Sequence, residues 1–113
     1  MELELEDGQV FVSPNRATLE GWLQRLSPDG DNTFAILTAS NGDFIQTACE
    51  GDAFVLEKRT QDPQHHYRGV RHEGKAAHFT AAETAVAFHA FAYENPPTPD
   101  FLLWQNIDEE VGL

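Results

Sequence analysis

The sequence predicts an α+β fold in which a four- to five-stranded antiparallel β-meander is packed by a C-terminal helix and flanked by an N-terminal helix. Three observations predict it: closely spaced hairpin turns in mid-chain, an amphipathic segment before them and a nearly all-apolar segment after them. With 113 residues, 41% of them hydrophobic, the chain is long enough for one core. A chain of this length buries roughly two-thirds of the surface that it exposes when unfolded. No composition shift divides it, so we expect residues 1–113 to form a single domain.

The first element is predicted to be a strand. Residues 2–6 alternate strictly between Glu and Leu, and a period of two is typical of a strand with one wet face. Asp7 and Gly8 predict a turn, and residues 9–12 a second short strand or a continuation of the first.

A helix is predicted over residues 14–26. Ser13 offers a capping hydroxyl, and Pro14 suits the first helical position. Apolar residues follow at i, i+3, i+4 and i+7, which places on one helix face Leu19, Trp22, Leu23 and Leu26. The turn-forming cluster at 27–30 ends the helix.

A second helix is predicted over residues 81–93, which are apolar nearly all round and should therefore be buried on more than one side. Thr80 and Glu83 have the spacing of a capping box at its start. The proline-rich residues 95–99 end it and predict a stiff, extended connector. We expect the apolar run 101–104 to dock on the sheet or on a helix.

Between the helices the sequence predicts the meander itself. Asn41 and Gly42 form the strongest two-residue hairpin signal, Gly51 and Asp52 offer a second tight turn, and residues 61–64 read as a longer loop. The predicted strands are residues 33–39, 44–49, 53–59 and 65–71.

Two tight turns fix a register. They place Ile36 opposite Thr47, and Gln46 opposite Glu57. One sheet face then carries the predicted core residues Phe34, Ile36, Ile45, Cys49, Phe54 and Leu56. The other face is half apolar and half polar, so we expect it to be only partly covered; it carries Leu37, Phe44, Val55, Ala35, Ala39, Ala48, Gln46, Glu57 and Arg59.

The charge balance excludes several classes of function. There are 19 Asp and Glu against 7 Lys and Arg, a net charge of −12. Nucleic acids and anionic membrane surfaces both require clustered basic residues, so we expect neither as a partner. The chain has no apolar run long enough to span a bilayer and begins without a basic or apolar leader, which predicts a cytoplasmic location. The single cysteine, Cys49, excludes an internal disulfide and an all-thiolate zinc site, and its core-face position predicts a structural role.

Catalytic chemistry is not indicated by any motif. The chain has five histidines, many for this length: His65, His66, His72, His78 and His89. Their spacing matches no metal-binding or catalytic pattern, and we expect all but His89 to occupy solvated positions. His89 is the exception, since inside an apolar helix it is expected to be a hydrogen-bonded core residue. Phosphate-binding glycine loops and a nucleophile elbow are also missing. We therefore predict no catalytic residue, no metal and no cofactor.

The acidic residues gather at turn tips and near the C-terminus. This distribution is typical of a solvated surface, and it also suits electrostatic steering toward a basic protein such as a nuclease. These acids and the polar residues of the half-apolar sheet face are the candidate partner-binding residues. They are Asp43, Gln46, Glu50, Asp52, Glu57, Arg59, Asp108, Glu109 and Glu110.

Residues 33–104 resemble a known group of proteins. The stretches that carry the resemblance are residues 34–37, 41–48, 54–59 and 66–68, together with Ala87, Phe88, Phe91, Leu103 and Trp104. They resemble the first-numbered immunity family of bacterial polymorphic-toxin systems. The resemblance implies an α+β domain with a central antiparallel sheet that neutralises a co-encoded toxin by binding it, and it implies no catalytic residues.

The expected function is therefore that of a non-enzymatic acidic binding protein, an immunity protein that neutralises a basic, secreted toxin. Two alternatives stay open. One is a homo-oligomeric structural domain, in the simplest case a homodimer, that pairs through Leu37, Phe44 and Val55. The other is a small histidine-dependent enzyme that also uses Glu57.

Overall fold

The fold is a mixed α+β arrangement built on one antiparallel sheet. A computed structural model describes residues 1–30, 32–71, 78–93 and 98–113. Within them the strands are β1 (Glu2–Leu5), β2 (Val10–Val12), β3 (Phe34–Thr38), β4 (Phe44–Glu50), β5 (Ala53–Gln61), β6 (Gln64–Val70) and β7 (Leu103–Asn106). The helices are α1 (Arg16–Gln24), α2 (Ala81–Tyr93) and α3 (Asp108–Val111). The strands lie in the order β2-β1-β3-β4-β5-β6-β7.

The sheet is wider than the predicted meander of four to five strands. In the described part of the chain it has seven strands, because β1 and β2 extend the four strands β3–β6 at one edge and β7 extends them at the other. At one edge β1 pairs with β3, with Leu3 opposite Leu37, and carries β2 on its other side. At the other edge the apolar run at 101–104 contributes to β7, which pairs with β6 and sets Leu103 opposite Val70. Both additions satisfy backbone groups that would otherwise line an open edge.

The helices begin where their side chains cap the backbone. The Asn15 side chain accepts a hydrogen bond from the Thr18 amide at 2.9 Å, so α1 begins at Arg16 and not at the predicted residue 14. At α2 the predicted capping box is confirmed: the Glu83 amide donates to Thr80 Oγ1 at 3.1 Å, and the Thr80 amide donates to Glu83 Oε1 at 3.0 Å. Residues 94–97 of the predicted connector lie outside the described residues.

The hairpin between β3 and β4 differs from the prediction by one residue. The Ala39 amide donates to the Asp43 carbonyl at 2.8 Å, and the Gly42 amide donates to the Ala39 carbonyl at 3.0 Å. The loop therefore has a third residue, Ser40, and ends on Gly42 with a φ of 92°, as three-residue hairpins with a left-handed last position do.

This extra loop residue exchanges the two faces of β3. Ile36 lies opposite Gln46, and Leu37 lies opposite Ile45. Since side chains alternate along a strand, a shift of one residue moves each of them to the other face. The predicted faces are thus wrong for β3: Leu37 and Ala35 are fully buried in the core, whereas Phe34 and Ile36 are not core residues.

The remaining turns of the meander are short. The tight turn at Gly51 and Asp52 is confirmed by the pairing of Cys49 with Phe54, and Gly51 has the positive φ, 62°, that type II′ turns place at this position. The predicted loop at 61–64 is shorter than expected, because β5 and β6 pair up to their ends and leave only two residues in the turn.

The core lies between one face of the sheet and helices α1 and α2, which pack against each other. Its fully buried members include Leu3, Leu5, Leu19, Leu23, Leu37, Ile45, Leu56 and Phe88. Leu102, just before β7, is buried as well, so the docking of this segment is confirmed. None of the helices in the described ranges is long and apolar enough to cross a membrane.

Candidate functional site

The open face, defined as the sheet face opposite α1 and α2, carries a groove of about 380 Å³. The groove is lined mainly by apolar side chains, and its residues are Phe34, Ile36, Gln46, Thr47, Ala48, Val55 and Glu57. No helix in the described part of the chain lies over it, and 38% of the Phe34 surface is exposed. The groove is therefore a surface feature and not part of the core.

Strand register builds the groove from two rows of side chains that cross the sheet. In the apolar row, Phe34 lies opposite Ala48, which lies opposite Val55. In the neighbouring mixed row, the partners in order are Glu4, Ile36, Gln46, Glu57 and Arg68. Directly opposed residues on neighbouring antiparallel strands share a face, so both rows face solvent on the open side.

A polar network adjoins the groove at Glu57. The Arg59 Nε donates to His66 Nδ1 at 3.0 Å, so the imidazole proton sits on Nε2 and is donated to Glu57 Oε1 at 2.6 Å. Only 5% of His66 is exposed. Both of its ring nitrogens are used, so the ring holds the Glu57 carboxylate in one orientation.

Comparison of this chain with protein-family models, with curated proteins and with solved structures finds no match in any of the three.

Two residues of the groove lining, Glu57 and Gln46, have hydrogen-bond acceptors without a partner among the described residues. Among the described residues, Glu57 Oε2 accepts no hydrogen bond, and the Gln46 side chain, directly opposite on β4, makes none. The neighbouring cations are engaged elsewhere: Arg59 holds His66, and Arg68 donates to Glu110 Oε2 at 2.9 Å. The arrangement presents two hydrogen-bond acceptors beside an apolar surface.

The structure brings together three of the predicted site residues: Gln46, Glu57 and Arg59. They share the open face, and the predicted pairing of Gln46 with Glu57 is confirmed. Glu50 follows on the same face at the end of β4, where its Oε2 lies 3.0 Å from the Nε2 of His78. Asp52 is exposed in the next turn.

The other predicted acids lie away from the groove. The Asp43 carboxylate accepts a hydrogen bond from the Gln61 amide at 2.9 Å, which ties the β3–β4 loop to the end of β5. Glu109 and Glu110 belong to α3 beside β6, and both are exposed. Of these three, only Glu110 forms an ion pair with another described residue, the contact with Arg68 given above.

Asp108 has a structural position at the start of α3. Its carboxylate lies 2.7 Å from His65 Nδ1, and it also accepts hydrogen bonds from the His66 amide at 2.7 Å and from the Asn106 side chain. These bonds, the one with His65 above all, lower the pKa of Asp108 to about 2. The carboxylate therefore anchors α3 to β6.

Sequence reasoning missed Phe34, Ile36 and His66. The sequence predicts the two apolar residues in the core, because Asn41 and Gly42 predict a β3–β4 loop that is one residue shorter than the observed loop. The predicted solvated position of His66 is wrong, because the side chain is buried where β6 pairs with β5. A two-residue turn at Asp62 and Pro63 would have revealed the pairing of His66 with Arg59.

Two further reactive side chains lie on the helix-covered side of the sheet. Lys58 Nζ is 5.1 Å from the ring centre of Tyr67 and 4.8 Å from that of Trp104, and burial lowers its pKa. The Cys49 thiol is half-buried, with its Sγ 3.1 Å from the Gly51 carbonyl oxygen, and burial raises its pKa. Neither group faces the groove.

His89 lies apart from the groove as well. The His89 ring, on α2, lies 5.0 Å from that of Tyr93, and His72 lies outside the described residues. Among the described side chains, no group of three His, Cys, Asp or Glu residues is placed to hold a metal ion.

Proposed function

We propose that this protein is a non-enzymatic acidic binding protein that acts in the cytoplasm as an immunity protein and neutralises a basic protein, such as a toxin, by direct contact. The observation that carries the proposal is the open face of the sheet, where an apolar groove adjoins carboxylates in a molecule of net charge −12. Exposed apolar surface rimmed by polar groups is typical of protein interaction sites.

The distribution of charge around the groove supports a basic partner. Glu2 and Glu4 lie on β1 at one end of the rows that cross the open face, and Glu57 closes the groove on the other side. Lys58 points to the covered face, and the two arginines of the open face, Arg59 and Arg68, are held by His66 and by Glu110. A positively charged partner would be steered toward this side and would then bury the apolar row.

The state of His66 supports binding over catalysis. A general base needs a free lone pair within reach of substrate, but Nδ1 accepts from Arg59 and Nε2 donates to Glu57. The imidazole therefore serves to orient a carboxylate.

Co-expression with the products of the adjacent genes tests the proposal. We expect one of them to inhibit growth alone, to be neutralised by this protein and to form a stable complex with it in size-exclusion chromatography. If no neighbour product forms a complex and none is neutralised, the proposal is wrong.

A matched pair of variants locates the contact surface. Ala48→Arg places a bulky cation in the apolar row and should abolish complex formation and protection. Ala82→Arg makes the same change at an exposed position on α2 and should leave both intact. If Ala48→Arg forms the complex and protects as well as Ala82→Arg does, the open face is not the contact surface.

A homodimer through the same face is the second candidate, favoured by the exposure of Phe34 beside Ile36 in the groove. The predicted contact through Leu37 is wrong, because Leu37 is fully buried. Light scattering over a range of concentrations separates the two functions: a dimer that Ala48→Arg converts to a monomer supports self-association, and a wild-type monomer excludes it.

A further inference from the structure

We propose that Glu57 and Gln46 form an anchor for an arginine side chain of the basic partner, with the guanidinium bound at the two acceptors and its neighbours packed along the apolar row. The inference deepens the proposed function and rests on it for the identity of the partner as a protein.

The preorganisation of Glu57 is the first argument. His66 fixes Oε1 at 2.6 Å and is itself fixed by Arg59, so the carboxylate does not lose side-chain freedom when a ligand binds. Its Oε2 has no hydrogen-bond partner among the described residues, and Glu57 belongs to the lining of the groove. A carboxylate held in this way is an acceptor suited to a cationic donor.

Gln46 supplies the second acceptor. It lies directly opposite Glu57 on β4, and residues opposed in this way have Cβ atoms about 4.5–5.5 Å apart. A guanidinium offers several N–H donors in one plane, so it can donate to Glu57 and to the Gln46 amide oxygen together. A lysine ammonium is a compact point charge and lacks this forked geometry.

The apolar walls also favour arginine. Phe34, Ile36 and Val55 line the groove beside the two acceptors. A guanidinium is weakly hydrated and packs its flat faces on aromatic and aliphatic side chains, whereas an ammonium retains its water. The groove thus combines the charge and the apolar contact that arginine requires.

The protein's own arginines do not occupy this anchor. Arg59 reaches the far side of the His66 ring, and Arg68, although opposite Glu57, donates to Glu110 on α3. Neither forms an ion pair with Glu57 in the described residues.

A small probe tests the anchor without the partner. Titration with 2-phenylethylguanidinium, followed by ¹⁵N-edited NMR, should shift the amide signals of Ile36, Gln46 and Val55. The neutral isostere 2-phenylethylurea should bind at least about tenfold more weakly, because it lacks the charge-assisted hydrogen bonds. Absence of shifts with the guanidinium at millimolar concentration, or equal binding of the two probes, would overturn the proposal.

Glu57→Gln is the diagnostic variant, since its amide oxygen can still accept from His66 while the charged Oε2 is replaced by an uncharged N–H donor. It should weaken guanidinium binding at least about tenfold and urea binding much less, because only the guanidinium loses a charge-assisted contact. Asp29→Asn, at an exposed position in the turn after α1, removes a charge in the same way; it is the control and should bind both probes as the wild type does. An unchanged guanidinium affinity in Glu57→Gln contradicts the anchor.

The same variants separate this inference from the proposed function. If the partner complex is lost in Ala48→Arg but unaffected by Glu57→Gln, the open face binds a protein and the arginine anchor is wrong. If the guanidinium probe binds as expected and no neighbour product forms a complex, the anchor is correct and the proposed immunity function is wrong.

Discussion

His66 is a buried polar side chain whose two ring nitrogens are both satisfied, one by Arg59 and the other by Glu57. Such a ring is tolerated only while its partners are in place, because an unpaired buried polar group costs about 1–3 kcal/mol. The ring therefore contributes to the stability of the sheet as well as to the orientation of Glu57.

Replacing this ring should destabilise the protein. His66→Ala leaves the Arg59 Nε and one Glu57 oxygen without their partner, and we expect the free energy of unfolding to fall by about 1–3 kcal/mol. Urea denaturation measures the change. His78→Ala, which removes an exposed contact with Glu50, is the control and should change stability by less than about 1 kcal/mol. A loss no larger than that of the control would show that the network is not stabilising.

Asp108 gives the stability a defined pH dependence. Its pKa falls from 3.8 to about 2 in the folded protein, chiefly because of the hydrogen bond with His65. A carboxyl with a lowered folded-state pKa stabilises the protein fully above its unfolded pKa, and the contribution is lost as the pH falls through the folded pKa. We expect Asp108→Asn to lower the melting temperature at pH 7, and the difference from the wild type to vanish as the pH approaches 2.

Thermal unfolding of both proteins across this pH range measures the effect. Asp52→Asn, in an exposed turn, should follow the wild-type curve throughout. A difference between Asp108→Asn and the wild type that stays constant down to pH 2 would contradict the proposed origin of the shift.

At the scale of elements, the loop between β3 and β4 decides which side chains line the groove. Gly42 ends this loop with a φ of 92°, a left-handed conformation that a residue with a Cβ adopts at a cost of about 1–2 kcal/mol. The same local geometry recurs between β1 and β2, where Gly8 has a φ of 91°.

Two glycine-to-alanine substitutions should have opposite signs. Gly42→Ala should reduce the free energy of unfolding by about 1–2 kcal/mol, because of the positive φ. Gly21→Ala should increase it by about 0.5–1 kcal/mol, because Gly21 lies inside α1 and an added Cβ has open space around it. Chemical denaturation of both variants checks the signs. A stabilising Gly42→Ala would contradict the loop geometry.

Elements with local chemistry were predictable from the sequence. The capping box at Thr80 places the start of α2, and the tight turn at Gly51 places the register of β5 on β4, because in both the decisive contacts lie within a few residues. The register of β3 was not predictable from Asn41 and Gly42 alone, since this pair occurs in two-residue and in three-residue loops. The partners of β1 and β7 are distant along the chain, and no local pattern names them.

The candidate site was also predictable only where local turns determine which residues share a face. Gln46, Glu57 and Arg59 were placed on one face because the turn at 51–52 was correct. The apolar half of the groove required the register of β3, and the buried position of His66 required the pairing of β6 with β5. The residues that were not predicted therefore depend on the length of the β3–β4 loop and on the contacts that bury His66.

At the scale of the whole molecule, a net charge of −12 on 113 residues opposes compaction. Added salt screens this repulsion, and the Debye length falls from about 30 Å at 0.01 M to about 8 Å at 0.15 M. We expect the melting temperature to rise over this range of sodium chloride. The double variant Asp52→Asn, Glu109→Gln should show a smaller rise, and a melting temperature that falls with salt would show that attractive ion pairs dominate.

The consecutive order of β3, β4, β5 and β6 along the chain has a consequence for how the protein folds. These strands are joined by short turns, so each pairs with its neighbour after closing only a small loop. The β1–β2 hairpin and the edge strand β7 must instead find their partners, β3 and β6, across long stretches that include a helix. We expect the central hairpins to form first and to have the slowest native-state amide hydrogen exchange, which mass spectrometry measures. The groove, which lies on β3, β4 and β5, would then be in the last part of the sheet to unfold, and it would persist while the strands at the two edges of the sheet open locally.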